Sequence, residues 1–114
     1  MNVATILVAF TILAPRIALA ASTACPATNA AAGLSSIMLY DGPPEQKDDI
    51  TPDTTSRQGA LSLTSWNIAS IYALKRSAYV VCSYGASAPV TLKIDKATVC
   101  TRTIGAGKLT FICQ

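Results

Sequence analysis

The chain has 114 residues, of which 51% are hydrophobic and 13% charged, with four cysteines, no histidine and a net charge of +3. Without histidine it cannot run Ser-His-Asp or Cys-His catalysis, and it lacks the commonest transition-metal ligand. No Cys-x-x-Cys pair occurs, which removes thioredoxin-like redox chemistry and a standard zinc knuckle.

The first twenty residues read as a targeting segment. Thr5 to Ala14 is an almost unbroken apolar run, followed by Pro15-Arg16 and the small-x-small triplet Ala18-Leu19-Ala20. That is the pattern of a secretory signal peptide cleaved after Ala20, although the usual basic start is missing. The run is shorter than the roughly 20 residues a membrane span needs. A lipid anchor on Cys25 is the alternative, but Ser22-Thr23-Ala24 lacks the large apolar residue such a site wants. The mature chain, 21–114, is expected to be one small domain in the periplasm or outside the cell, with no membrane insertion after cleavage. At that size a core alone is marginal. An even count of cysteines in an exported chain predicts two disulfides among Cys25, Cys82, Cys100 and Cys113.

Residues 21–33 are small and polar and read as a loosely ordered arm tied down by Cys25. Leu34 to Tyr40 is the first predicted strand, with something to bury on both faces. It must stop at Asp41. Gly42 precedes a proline and is pushed out of the helical region, and Pro43 and Pro44 have no N–H to give a ladder. The chain then leaves in an extended, polyproline-like form. Pro44 suits the first position of one helical turn over 45–49. The remainder of 45–60 contains only Ile50 as a sizeable apolar residue and reads as a surface loop.

Leu61 to Leu74 shows strand-like alternation that changes register near Thr64-Ser65, which predicts a bulge. Trp66, the only tryptophan, is expected in the core. Ala78–Tyr84 and Val90–Asp95 form a hairpin around Gly85 to Pro89, with Val90, Leu92 and Ile94 inward and Cys82 on the core face. Thr98–Ile104 and Lys108–Cys113 form a second hairpin around Gly105-Ala106-Gly107. Pairing Ile104 with Lys108 puts Cys100 and Cys113 on opposite faces, so they should not bond. Two pairings remain: Cys82–Cys100 with Cys25–Cys113, which is preferred, or Cys82–Cys113 with Cys25–Cys100. Five or six short strands with little helix predict a mainly β fold, a small antiparallel β-sandwich or half-open barrel stapled by disulfides.

Charge is uneven along this framework. Removing Arg16 leaves eight bases and six acids in the mature chain. Residues 41–53 hold Asp41, Glu45, Asp48, Asp49 and Asp53 against Lys47, a net −4, and everything after residue 54 sums to +6. An acidic segment of this kind suits a basic cleft on another protein. Asp41, Gly42, Pro43, Pro44, Asp48 and Asp49 are therefore the candidate binding residues. A glycoside-cleaving acid and base would need carboxyls in contrasting environments, and Asp41 and Glu45 share one polar stretch. The acids do not match an EF-hand loop, and the bases are scattered rather than gathered for nucleic acid. No catalytic residue, metal or cofactor is expected.

These residues together resemble a family of small exported proteobacterial proteins of unknown function. The resemblance rests on Cys25-Pro26, "YDGPPE" at 40–45, Pro52-Asp53, "SWNI" at 65–68, and "VCSY" at 81–84 with Cys100 eighteen residues after Cys82. It implies an exported envelope protein and carries over no catalytic residues. The functional expectation is a non-enzymatic periplasmic binding module of inhibitor or immunity type, its partner another envelope protein. The alternative is a structural or envelope-maintenance protein without a discrete site.

Overall fold

A computed structural model describes residues 22–114. The expected signal peptide, 1–20, lies outside the described residues. Ten strands occur in chain order: β1 (Thr23–Ala24), β2 (Thr28–Asn29), β3 (Ala32–Gly33), β4 (Ser36–Asp41), β5 (Thr54–Gln58), β6 (Leu61–Asn67), β7 (Ala78–Tyr84), β8 (Ser87–Lys93), β9 (Val99–Gly105) and β10 (Lys108–Cys113). One 3₁₀ turn, Pro44–Gln46, follows β4, and one short helix, α1 (Ala69–Ala73), follows β6. Five strands form an antiparallel sheet in the order β1-β10-β9-β6-β5, three form a second in the order β4-β7-β8, and β2-β3 is a small separate hairpin. The expected mainly β sandwich is thus present, open at its edges rather than closed into a barrel.

Strict alternation decides what each sheet buries. In β7 every second residue, Ala78, Val80, Cys82 and Tyr84, is fully buried, and the facing residues of β4 are Ile37 and Leu39. The larger sheet contributes Trp66, Cys100, Phe111 and Cys113 to the same core cluster. Trp66 is 4% exposed, as expected, and meets Phe111 edge-on at 6.1 Å between ring centroids. Its indole N–H donates to the Ile50 carbonyl at 3.0 Å, so burial leaves no polar group unpaired. Burying a side chain of this kind is worth several kcal/mol, and truncation to alanine costs about 3–5 kcal/mol.

The structure corrects the cysteine pairing. Cys25 bonds Cys82 and Cys100 bonds Cys113, with no free cysteine. The reason is a one-residue register error in the second hairpin. Ala106 (φ 51°) and Gly107 (φ 69°) form a two-residue loop with both φ positive, the signature of a type I′ turn. Gly105 therefore belongs to β9 and pairs with Lys108, and Cys100 lies directly opposite Cys113 with Cα atoms 3.9 Å apart. A one-residue slip moves a side chain to the other face. The other bridge joins the segment after β1 to the centre of the three-stranded sheet, so it ties one layer to the other.

Other differences have separate causes. Residues 54–58 form the edge strand β5, yet all five side chains are exposed, so no hydrophobic alternation marks it. β6 runs on without the expected bulge, and Thr64, buried and accepting a hydrogen bond from Arg102, faces inward. From Ile68 onward the period becomes helical, since Ile68 and Ile71 are both buried. The Asn67 side-chain oxygen accepts from the Ala69 N–H at the start of α1. The first hairpin also has a two-residue loop, with Tyr84 opposite Ser87, and Pro89 sits inside the edge strand β8, where a missing N–H is tolerated. The N-terminal arm is ordered. β1 pairs with β10, and the β2-β3 hairpin is held by an Asn29 side-chain bond to the Ala88 carbonyl.

Candidate functional site

β4 ends at Asp41, as the sequence dictates, but the chain does not simply leave. Gly42 adopts φ +90°, and a Cβ there would come within 2.8 Å of the Gln46 side-chain oxygen. Pro43 is extended (φ −56°, ψ 141°) and Pro44 opens the 3₁₀ turn. The Gln46 N–H donates to the Pro43 carbonyl and the Lys47 N–H to that of Pro44, both at 3.0 Å. Lys47, in the left-handed region at φ 55°, then sends the chain back. It returns along β4: Asp41 N–H donates to Asp48 O (2.9 Å), Asp49 bridges Tyr40, and Ile50 N–H donates to Leu39 O (2.8 Å). The two prolines thus form the tip of a closed excursion whose two legs pair.

α1 supplies the other side of this corner. Lys75 takes φ 56° after the helix, and the Arg76 N–H donates back to the Ile71 carbonyl at 3.0 Å. That turn delivers Arg76 to Asp41, where Nη2 and Oδ2 are 2.7 Å apart. Gly42 N–H donates to Ser77 O at 2.9 Å and locks the corner to the start of β7. A pocket of about 290 Å³ results, lined by Asp41, Gly42, Pro43 and Asp48 together with Gln46, Arg76, Ser77 and Tyr79.

Four of the six candidate residues therefore line one pocket. Pro44 is half-buried as the base of the turn, and Asp49 is exposed on the returning leg outside the lining. The acids differ in role. Asp41 is 18% exposed and paired with Arg76, and its Oδ1 is buried without a hydrogen-bond partner. Asp53 accepts from the Asn67 N–H and closes the end of β6. Glu45, Asp48 and Asp49 are exposed, and the Asp41–Arg76 pair is the ion pair found among the described residues. Beside the pocket, the outer face of the three-stranded sheet carries the cross-strand pairs Tyr40–Tyr79 and Met38–Val81, with Met38 47% exposed. Tyrosine and methionine next to a polar rim are the composition of a protein-binding surface.

Sequence reasoning missed Gln46, Arg76, Ser77 and Tyr79. A signal existed for Tyr79 alone: alternation in Ala78–Tyr84 puts it on the face opposite Cys82. Arg76 is brought in by the helix end, which only the fold reveals. Among the described residues, no group of three or more His, Cys, Asp or Glu gathers to hold a metal ion. What the arrangement offers is a preformed recess with one exposed carboxylate, Asp48, the Gln46 amide and a Tyr79 wall beside the mutually neutralised Asp41–Arg76 pair, with Glu45 and Asp49 exposed outside the lining.

The family model described as type VI secretion system Tli immunity protein covers residues 28–114. No curated protein and no solved structure matches the chain.

Proposed function

The chain belongs to the type VI secretion system Tli immunity protein family, and from that premise we propose that its acidic β4 corner docks onto a basic surface of the effector it neutralises. It is a non-enzymatic immunity-type binding module, and the structural or envelope-maintenance alternative is not favoured. Such a protein acts by occupancy, which fits a rigid β scaffold with two internal crosslinks.

The observation that carries the corner is the convergence of Asp41, Gly42, Pro43 and Asp48 on one recess beside Tyr79. The excursion is closed by its own backbone bonds, so little ordering entropy remains to be lost on binding. Asp48 and Asp49 steer a basic partner, and the Tyr40, Tyr79 and Met38 surface supplies the apolar area that outlasts encounter. We place this encounter in the periplasm, with an effector that acts in the envelope. Two disulfides and the signal-type segment 1–20 support that compartment. The test is affinity and growth protection against the type VI effector whose toxicity the chain suppresses, with Asp48→Lys/Asp49→Lys as the variant. Loss of affinity by at least about tenfold is expected, mostly through slower association. Unchanged affinity moves the interface elsewhere.

A further inference from the structure

The five-stranded sheet has an outer face that the sandwich leaves bare. Alternation fixes its members. Phe111 and Cys113 point inward, so Ile112, Thr110 and Lys108 of β10 point outward. By the same rule Val99, Thr101 and Thr103 of β9 face out, and in β6 so do Leu61, Leu63 and Ser65. Registers align these into rows, Ile112–Thr101–Ser65–Thr54 and Thr110–Thr103–Leu63–Ser56. Leu61 at 43%, Val99 at 39% and Ile112 at 36% exposure are three large apolar side chains on this one face. Among the described residues, Lys108, in a corner row beside Gly105, is the only charged one on this face.

We propose that this face is the contact between two copies of the chain. Charge selects the occupant. The mature sequence carries fourteen charged side chains (eight basic, six acidic), and a face holding one of them, at its corner, meets itself without like charges near a two-fold axis. Size agrees. Strands spaced about 4.8 Å apart and rising about 3.4 Å per residue offer about 500 Å² on each copy, and the paired faces bury about 1,000 Å² in total, the lower bound of a specific interface. Hydroxyls alternate with apolar side chains, so opposed Thr and Ser residues keep hydrogen-bond partners as water leaves. Position completes the argument, and here the inference rests on the reading of the acidic corner. The two sheets pack through their inner faces, so this face and the Tyr40–Tyr79 face look in opposite directions. One compact effector at the corner does not reach it. A dimer built here presents two corners outward and binds two effectors.

The test is sedimentation velocity of the mature protein, without effector, across the micromolar range. A monomer–dimer equilibrium is expected, weakened by at least about tenfold in Thr103→Glu, which sets two like charges near the axis. Asp48→Lys should leave it unchanged. Thermal melts verify that each variant is folded, and Thr110→Arg replaces Thr103→Glu if the latter is not. A monomer at every concentration overturns the proposal, as does a dimer indifferent to both face variants. Loss of effector affinity in Thr103→Glu with no homodimer in the wild type also overturns it, and assigns the face to the effector. A missing dimer leaves the immunity reading intact, because that reading stands on effector binding by the monomer's corner.

Discussion

The two sheets carry opposite kinds of surface on one core. The three-stranded sheet ends in a charged, sharply folded corner: Gly42 in a left-handed conformation, two prolines, a 3₁₀ turn and a returning leg, all within ten residues. The five-stranded sheet presents hydroxyls and aliphatics on extended strands, with one charge at its margin. One side of the corner is shaped by residues adjacent in sequence, whose backbone choices are restricted before any partner arrives, and Arg76, Ser77 and Tyr79 complete it from the end of α1 and the start of β7. The flat face is assembled from strands as distant as β5 and β10, and its character depends on register alone. Local chemistry here builds the shape proposed to meet the effector. Long-range pairing builds the plane proposed to meet its own copy.

The comparison breaks most visibly at the crosslinks. Cys25–Cys82 joins the layers across a separation of 57 residues, and Cys100–Cys113 closes 13 residues within one sheet. Loop-closure entropy predicts that replacing the first pair by alanines costs about 4 kcal/mol and the second about 3 kcal/mol. Denaturant unfolding of the two double variants measures the order. If the within-sheet bridge matters more, the layers are held by packing rather than by the staple.

Gly42→Ala probes the corner itself. A Cβ in that conformation is strained and meets Gln46, so a loss of about 2 kcal/mol is expected from chemical melts. Pro43→Ala/Pro44→Ala should cost about 1–2 kcal/mol, partly through the greater freedom of the unfolded chain. An equal loss of effector affinity beyond that stability change would make the prolines contacts as well as a turn.

Tyr84 sharpens the link between layers. Its hydroxyl donates to the Pro26 carbonyl at 2.6 Å from a fully buried ring, and burial raises its pKa above the ordinary 10.0. The folded state therefore holds the proton more tightly than the unfolded one. Its contribution is complete below pH 10.0 and is lost as pH rises from there through the raised folded value. Tyr84→Phe should cost about 1 kcal/mol at neutral pH and flatten the fall in stability above pH 10. The smallest effect belongs to Asp48→Lys/Asp49→Lys, which should change stability by less than about 0.5 kcal/mol. A larger change would mean that the exposed acids support the fold, and the charged corner would lose its separation from the scaffold.

How far the sequence reaches differs between these regions. The stop at Asp41, the single turn after Pro44, the burial of Trp66 and the inward Val90, Leu92 and Ile94 were all legible, because each follows from a backbone restriction or a period of two. β5 was not, since a strand exposed on both faces has no apolar pattern. Arg76 was invisible as a site residue, because a helix end 35 positions away brings it to Asp41.

By itself, then, the sequence determined a small β domain that stops one strand at Asp41-Gly42-Pro43-Pro44, needs disulfides, and concentrates its acids in one segment. Composition, fixed φ angles and alternation are properties of neighbouring residues, and they survive without knowledge of the fold. The tertiary structure alone decided which cysteines meet, that the acidic segment folds back to pair with β4, and which side chains share the face with a single charge at its margin. Each of these turns on register. Register is set by the energy of burying one whole face rather than the other, together with a single two-residue turn at Ala106-Gly107, and a shift of one residue exchanges the faces.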